Sequence, residues 1–156
     1  MPRKLVGYDG GKPGASSRPD RAKWAFISFV PVGTQCYGTE RENLPFTIWY
    51  NFRRPIRVVK MGFSNCKATL NTVERSPQTI SLVGSHDCDD LNFVTWVNLI
   101  KIKNAGFEVK PQFRSWEIPE PKSYSCYGIH IENTNGENAN YVHIRNILMW
   151  ENMHDY

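Results

Sequence analysis

The sequence lacks a long hydrophobic run. No apolar stretch in the 156 residues approaches the roughly 20 residues that a membrane-spanning helix needs. The first residues, MPRKLVGYDGGKPG, carry basic side chains but no apolar segment behind them, so they do not match a secretory leader. The sequence therefore predicts no membrane span. It leaves the location open between the cell interior and a secreted or surface protein whose leader was removed.

Catalytic motifs are also missing. The chain has no G-x-S-x-G, no H-E-x-x-H and no phosphate-binding P-loop. Its four histidines, His86, His130, His143 and His154, are scattered. His130 and His143 fall on different predicted strands and could be neighbours, although polar strand positions explain both. The sequence therefore predicts a protein that is not an enzyme.

Cysteine is sparse and does not form motifs. Cys36, Cys66, Cys88 and Cys126 make no CxxC or CxxxC pair, which argues against a zinc ribbon or a redox motif. An even number of cysteines permits two disulfides in three alternative pairings. A chain of this length does not need such cross-links. Disulfides and free thiols both remain open from the sequence.

Acidic residues are few in the first half of the chain, and basic residues are few in the second half. Residues 1–75 hold 13 Lys or Arg and 5 Asp or Glu, whereas residues 76–156 hold 6 and 10, for a net charge of +4. The tightest basic cluster is Arg53-Arg54-Pro55-Ile56-Arg57. One hypothesis is a basic face that binds a polyanion. The alternative is that folding mixes the two halves. The basic and aromatic residues are not interleaved as in nucleic-acid-binding folds, so there is no strong nucleic-acid signal.

The sequence does contain residue patterns that alternate with a period of two, as is typical of β-strands. Ile80, Leu82 and Gly84 alternate with polar or β-branched residues after Pro77, which predicts a half-buried strand. A polar turn follows, and a second strand begins at Val94 and continues to Ile102. Similar patterns predict further strands at residues 24–31, 46–52, 56–63, 113–118, 124–132 and 141–151. About eight strands without a convincing helix predict an all-β fold, an antiparallel β-sandwich jelly roll.

The predicted strands also suggest how the chain is divided. Residues 1–23 are rich in Gly, Pro, Ser and charge, which predicts a flexible N-terminal arm. Residues 24–156 then form a single β-sandwich domain. Trp49, Trp96 and Trp150 fall on predicted strands, and we expect them to fill the core between the sheets.

Four segments, taken in order, resemble the discoidin or coagulation factor 5/8 type C family of galactose-binding-like jelly rolls. They are PFTIWYNFRRPIRVVKMGF, QTISLVGSHD followed by Trp96, FRSWEIPEPKSYSCYGIHIENT, and the closing HIRNILMWE. The resemblance spans Pro45 to Glu151. The family's frequent terminal cysteine pair is missing. The Arg-x-Asp signature of the fucose-binding branch is not met either, because Arg114 is followed by Ser115-Trp116-Glu117.

The resemblance implies a non-catalytic binding module. Its ligand would be a carbohydrate or another cell-surface or matrix component, as in a lectin or an adhesion module. It implies that the loops Val32–Leu44 and Ser64–Ser76 lie at one end of the sandwich and hold the ligand. The side chains in these loops suited to sugar hydroxyls or anionic groups are Tyr37, Glu40, Arg41, Glu42, Asn43, Asn65, Lys67, Asn71 and Arg75.

No cofactor is required for such a module, but calcium could take part. Asp87, Asp89 and Asp90 form an acidic cluster that could bind Ca²⁺, which prefers several oxygen ligands on a loop. The alternative is that these carboxylates cap the hairpin turn. A single weak ligand site would gain from multivalency, so a homo-oligomer would be useful. The alternative functions are an intracellular protein–protein interaction domain and polyanion binding through the basic first half.

Overall fold

The computed structural model describes residues 2–16, 22–26, 37–38, 45–65, 76–90, 92–108, 112–136 and 142–153, and for residues 24, 37 and 38 it describes the backbone alone. It contains ten β-strands and one short helix in these ranges. The elements are β1 (Arg3–Leu5), β2 (Lys12–Ala15), α1 (Lys23–Phe26), β3 (Tyr37–Gly38), β4 (Phe46–Ile56), β5 (Val58–Ser64), β6 (Ile80–Ser85), β7 (Val97–Ile102), β8 (Phe113–Glu117), β9 (Tyr124–Ile131) and β10 (His143–Asn152). In the part of the chain so described, no helix is long and apolar enough to cross a membrane.

The strands form two five-stranded antiparallel sheets. In the first sheet the order is β1-β10-β5-β8, and β3 also pairs with β10. In the second sheet the order is β2-β4-β9-β6-β7. The predicted all-β jelly-roll sandwich is therefore confirmed.

The core lies between the two sheets and follows the predicted alternation. On β9, Tyr127, Ile129 and Ile131 are fully buried and face the core, in step with Ile48 of β4 and Leu82 of β6. The intervening positions of these strands face outward. Burying one such large apolar side chain contributes about 1.5–3 kcal/mol, so this alternation sets the register of the second sheet.

The two ends of the sandwich carry different connections. Phe46, Ile80 and Ile131 are aligned at one end of the second sheet. Because β4 turns directly into β5 at Arg57, Phe46 and Ser64 both lie at the end away from that turn. We call the end at Phe46 and Ser64 the loop end, and the end at Arg57 the turn end.

The first two strands belong to the sandwich, in a segment for which the sequence predicted a flexible arm over residues 1–23. β1 pairs with β10, and β2 pairs with β4. The glycine content that predicted a flexible arm has a packing reason. A Cβ on Gly14 would lie 2.5 Å from the indole of Trp49, so only glycine lets β2 pass beneath that ring. Between the two strands, Tyr8 packs against the ring of Tyr50 at 4.7 Å.

Two further predictions about strands are wrong. The first predicted strand, residues 24–31, begins instead with the single helical turn α1, and residues 27–31 lie outside the described residues. Ala22, Ala25 and Phe26 are buried, so α1 packs against the core with one face. The strand expected from Val94 begins only at Val97, because residues 92–96 belong to the loop after β6.

The tryptophans do not fill the core as expected. Trp49 and Trp96 lie on the outer face of the second sheet, where their ring centroids are 5.9 Å apart. Trp150 lies on the outer face of the first sheet, with the Lys60 ammonium 4.9 Å from its ring centroid. Because outer faces also carry large apolar side chains here, alternation alone did not reveal which face of each strand is inside.

Candidate functional site

The loop end is where the predicted loop Ser64–Ser76 begins and ends and where the predicted loop Val32–Leu44 ends. The start of the latter, residues 32–36, lies outside the described residues, and Tyr37–Gly38 form β3 within it. Gly38 and Pro45 flank residues 39–44, and Asn65 and Ser76 flank residues 66–75. The strands next to all four flanking residues end at the loop end. The predicted side chains of Tyr37, Glu40, Arg41, Glu42, Asn43, Lys67, Asn71 and Arg75 lie outside the described residues. Their role in binding therefore stays a prediction.

Asn65 is described, and it lies in the base of the loops. Its side chain is fully buried directly after β5. Its Oδ1 accepts the Gln112 N–H at 2.8 Å, and its Nδ2 donates to the Glu108 carbonyl at 3.4 Å and to Ser76 Oγ at 3.5 Å. One amide thus joins the end of β5, the approach to β6 and the β7–β8 connection. The structure places Asn65 as an anchor of these loops.

A second set of bonds extends this base to the β9–β10 connection. The Asn135 N–H donates to the Ser76 carbonyl at 3.0 Å, and the Asn135 amide donates to the Phe107 carbonyl at 3.0 Å. Pro77 and Thr134 form an isolated antiparallel bridge beside them. The base of the loop end is therefore held by hydrogen bonds between three connections. Sequence reasoning had no signal for this base, because its members are far apart in the chain.

The acidic turn lies at the turn end, away from the predicted loops. Asp90 Oδ2 accepts the Thr95 N–H at 2.6 Å and the Thr95 hydroxyl at 2.7 Å, and these bonds lower the pKa of Asp90. Asp87 Oδ1 accepts the Asp89 N–H at 3.0 Å. Two of the three carboxylates thus cap the turn, as the alternative interpretation predicted. No group of three or more His, Cys, Asp or Glu among the described residues is placed to hold a metal ion. Calcium binding stays a prediction.

A disulfide links this turn to the second sheet. Cys88 in the turn is bonded to Cys126 of β9, with their Cα atoms 5.8 Å apart. The sequence permitted this pairing among others but did not select it. Cys36 and Cys66 lie outside the described residues.

The loop after the turn folds back over the outer face of the second sheet. Phe93 and Trp96 pack their rings 5.9 Å from that of Trp49. The Trp96 indole N–H donates to the Asp90 carbonyl at 3.2 Å. The disulfide and this aromatic cluster therefore fix the 86–96 loop at both of its ends.

The basic cluster predicted as a polyanion-binding face lies away from the loop end. Its residues Arg53, Arg54 and Arg57 are exposed at the turn end.

The two histidines that could have been neighbours are in different sheets. His130 lies on β9 in the second sheet, and His143 lies on β10 in the first. Burial lowers the pKa of His130, and its Nδ1 lies 2.8 Å from the Thr47 hydroxyl.

These observations define a class of fold. Two antiparallel five-stranded sheets in this order form a jelly-roll β-sandwich. The resemblance to discoidin or factor 5/8 type C domains inferred from the sequence is confirmed for the fold by the solved structures that match it.

Particular solved structures share this fold over nearly the whole chain. The family 32 carbohydrate-binding module of NanJ from C. perfringens, in complex with galactose, matches with a TM-score of 0.73 at 10% identity, covering 96% of this chain and 100% of that one. The module CpGH89CBM32-5 from Clostridium perfringens, in complex with GalNAc-β-1,3-galactose, matches with a TM-score of 0.70 at 11% identity, covering 94% and 99%. An F5/8 type C domain from Bacteroides fragilis matches with a TM-score of 0.68 at 14% identity, covering 96% and 97%.

The sequence comparisons give no such match. No family model matches the chain, and no curated protein matches it. The similarity therefore lies in the fold.

Proposed function

We propose that this chain is a non-catalytic carbohydrate-binding module that holds its glycan in the loops at the loop end. The observation that carries the proposal is the shared fold. Two of the structures that match it from end to end contain a galactose or GalNAc-β-1,3-galactose ligand. A third, from Paenibacillus, is a chitosan-binding module with a TM-score of 0.66. A neutral or amino sugar is therefore the ligand class that we infer.

The chemistry of the predicted loop residues suits such a ligand. Arg41, Lys67 and Arg75 are donors for sugar hydroxyls, whereas Glu40 and Glu42 are acceptors. Tyr37 can place its ring against the C–H face of a pyranose while its hydroxyl bonds to the sugar or to water. These groups supply the mixture of directed hydrogen bonds and apolar contact that a sugar needs.

The base of the loop end supports this role. A binding site on loops needs a rigid foundation, since ordering a mobile loop on binding costs free energy. The buried amide of Asn65 and the bonds of Asn135 hold three connections together beneath the predicted site. Lys67, Asn71 and Arg75, which we expect to contact the glycan, lie between Asn65 and Ser76 in the sequence.

A glycan array tests the proposal. Because a single module binds weakly, the biotinylated chain is displayed on streptavidin so that multivalency strengthens the signal. We expect binding to at least one neutral or amino-sugar glycan, and loss of that binding in Arg41→Ala and Arg75→Ala. Arg54→Ala is the matched control, because Arg54 is an exposed arginine at the turn end.

Two further measurements complete the experiment. Each variant is checked by thermal melting, so that loss of binding is not confused with loss of folding. The array is repeated with calcium and with chelator, which tests the calcium prediction for Asp87, Asp89 and Asp90. A folded, multivalent protein that binds no glycan on the array would contradict the proposal.

A further inference from the structure

A cleft opens at the turn end, on the side of the sandwich away from the predicted loops. Its volume is about 190 Å³. One wall is β7, the edge strand of the second sheet, and the other is the segment that connects β8 to β9. The lining residues are Val97, Asn98, Leu99, Pro119, Glu120, Lys122 and Tyr124.

The wall formed by the β8–β9 connection is held in place before any ligand arrives. Two prolines, Pro119 and Pro121, restrict its backbone. Three hydrogen bonds then fix it to the rest of the domain. They are the Ile118 N–H to the Val59 carbonyl at 2.9 Å, Arg57 Nε to the Pro121 carbonyl at 3.3 Å, and the buried Tyr127 hydroxyl, whose one proton is shared between the Lys122 carbonyl at 2.8 Å and the Ile56 carbonyl at 2.6 Å. A preformed wall lowers the entropic cost of binding.

The polar groups of the cleft are available to a ligand. No hydrogen bond or ion pair within the described residues engages the side chains of Asn98, Glu120 or Lys122. Tyr124 is 7% exposed as a whole residue, and no hydrogen bond within the described residues engages its hydroxyl. That hydroxyl is not among the solvent-inaccessible polar atoms of these residues, so it is open to solvent or to a ligand.

The ring of Tyr124 is fixed from two sides. The imidazole of His86 lies 5.1 Å from it, and the ring of Tyr127 meets it edge-on at 5.8 Å. The Tyr124 side chain therefore cannot turn away without losing both contacts. Tyr124 is therefore a fixed side chain in the lining of the cleft.

Size and charge indicate the kind of ligand. A volume of about 190 Å³ is below the ~300 Å³ at which pockets for drug-sized ligands begin, so the cleft takes a small ligand. Glu120 and Lys122 carry opposite charges, so the cleft favours a ligand without net charge. Val97, Leu99 and Pro119 offer an apolar surface beside the polar groups. A pyranose ring combines a C–H face with several hydroxyls and fits this mixture.

We propose that this cleft is a second sugar-binding site that takes a single neutral pyranose unit. It does not depend on the loop-end site of the proposed function, since the two lie at opposite ends of the sandwich. With both sites present, one domain could bridge two glycan chains or two places on one chain. Such bridging raises avidity without new contacts at either site.

A titration of the full chain followed by amide NMR tests this inference. The probes are methyl β-galactopyranoside and methyl β-glucopyranoside. We expect saturable shifts for the amides of Val97, Asn98, Leu99 and Tyr124 with at least one probe. Tyr124→Phe, which keeps the ring and removes the unpaired hydroxyl, should weaken these shifts by about three- to tenfold in apparent affinity.

A second variant and a control keep the outcome clear. Asn98→Ala combined with Lys122→Ala changes only exposed side chains and should also weaken the cleft shifts, whereas Lys12→Ala on the exposed part of β2 should not. Shifts near Asn65 and Ser76 report the loop end separately, so either site can fail without the other. If neither probe shifts the cleft amides, or if both cleft variants bind as wild type does, the inference is overturned.

Discussion

Replacing Asn65 by alanine tests whether this residue anchors the loops or contacts the ligand. The change removes an acceptor 2.8 Å from the Gln112 N–H and leaves that half-buried donor unpaired. It also removes the two longer bonds to Ser76 and Glu108. An unsatisfied buried group costs about 1–3 kcal/mol, so we expect a loss of about 2–3 kcal/mol. For a domain of this size, that loss lowers the melting temperature by about 5–10 °C.

The assay is urea unfolding and thermal melting of Asn65→Ala beside the wild type. Asn92→Ala is the matched control, because Asn92 is exposed on the loop after β6 and should melt within experimental error of the wild type. If Asn65→Ala keeps the stability of the wild type but loses glycan binding, Asn65 is a ligand contact and its assignment as an anchor is wrong.

Three further predictions concern other parts of the fold. Reducing the Cys88–Cys126 disulfide, or replacing both residues by serine, should cost about 4 kcal/mol from the loop of 38 residues that it closes, measured by unfolding with and without reductant. Gly14→Ala should cost about 1–3 kcal/mol because its Cβ would overlap the Trp49 ring, whereas Gly7→Ala, whose Cβ has ordinary space, should cost little. Burial lowers the folded pKa of His130 below 6.5, so the unfolded state takes up the proton first, and stability should fall as pH drops below about 6.5. His130→Gln should flatten that part of the pH profile, and an unchanged slope would contradict this reasoning.

The sequence was sufficient to predict the strands whose inner face is uniformly apolar. The alternation of Ile129 and Ile131 with smaller or polar neighbours predicted β9 closely, and β10 likewise matched the strand predicted at residues 141–151. The all-β class and the resemblance to the discoidin fold followed from these strands. In these strands the apolar residues of the alternating pattern are also the residues that face the core.

The sequence was insufficient to predict the conformation or burial of residues that depend on packing between distant segments. The glycines of the N-terminal segment predicted flexibility, but Gly14 is needed because β2 passes under Trp49. The outer-face tryptophans resembled core residues because strand alternation does not say which sheet face is inside. Asn65 was predicted to bind the ligand, and its burial in the base of the loops could not be predicted, because a polar side chain at a loop start carries no sign of burial.

The most direct test of the central claim is to locate the glycan on the domain. An amide NMR titration of the full chain with its best-binding glycan from the array reports every site at once. Binding at the loop end predicts saturable shifts at Gly38, Asn65 and Ser76, and their loss in Arg41→Ala with Arg75→Ala. A glycan that binds but leaves these three amides unmoved would contradict the loop-end site.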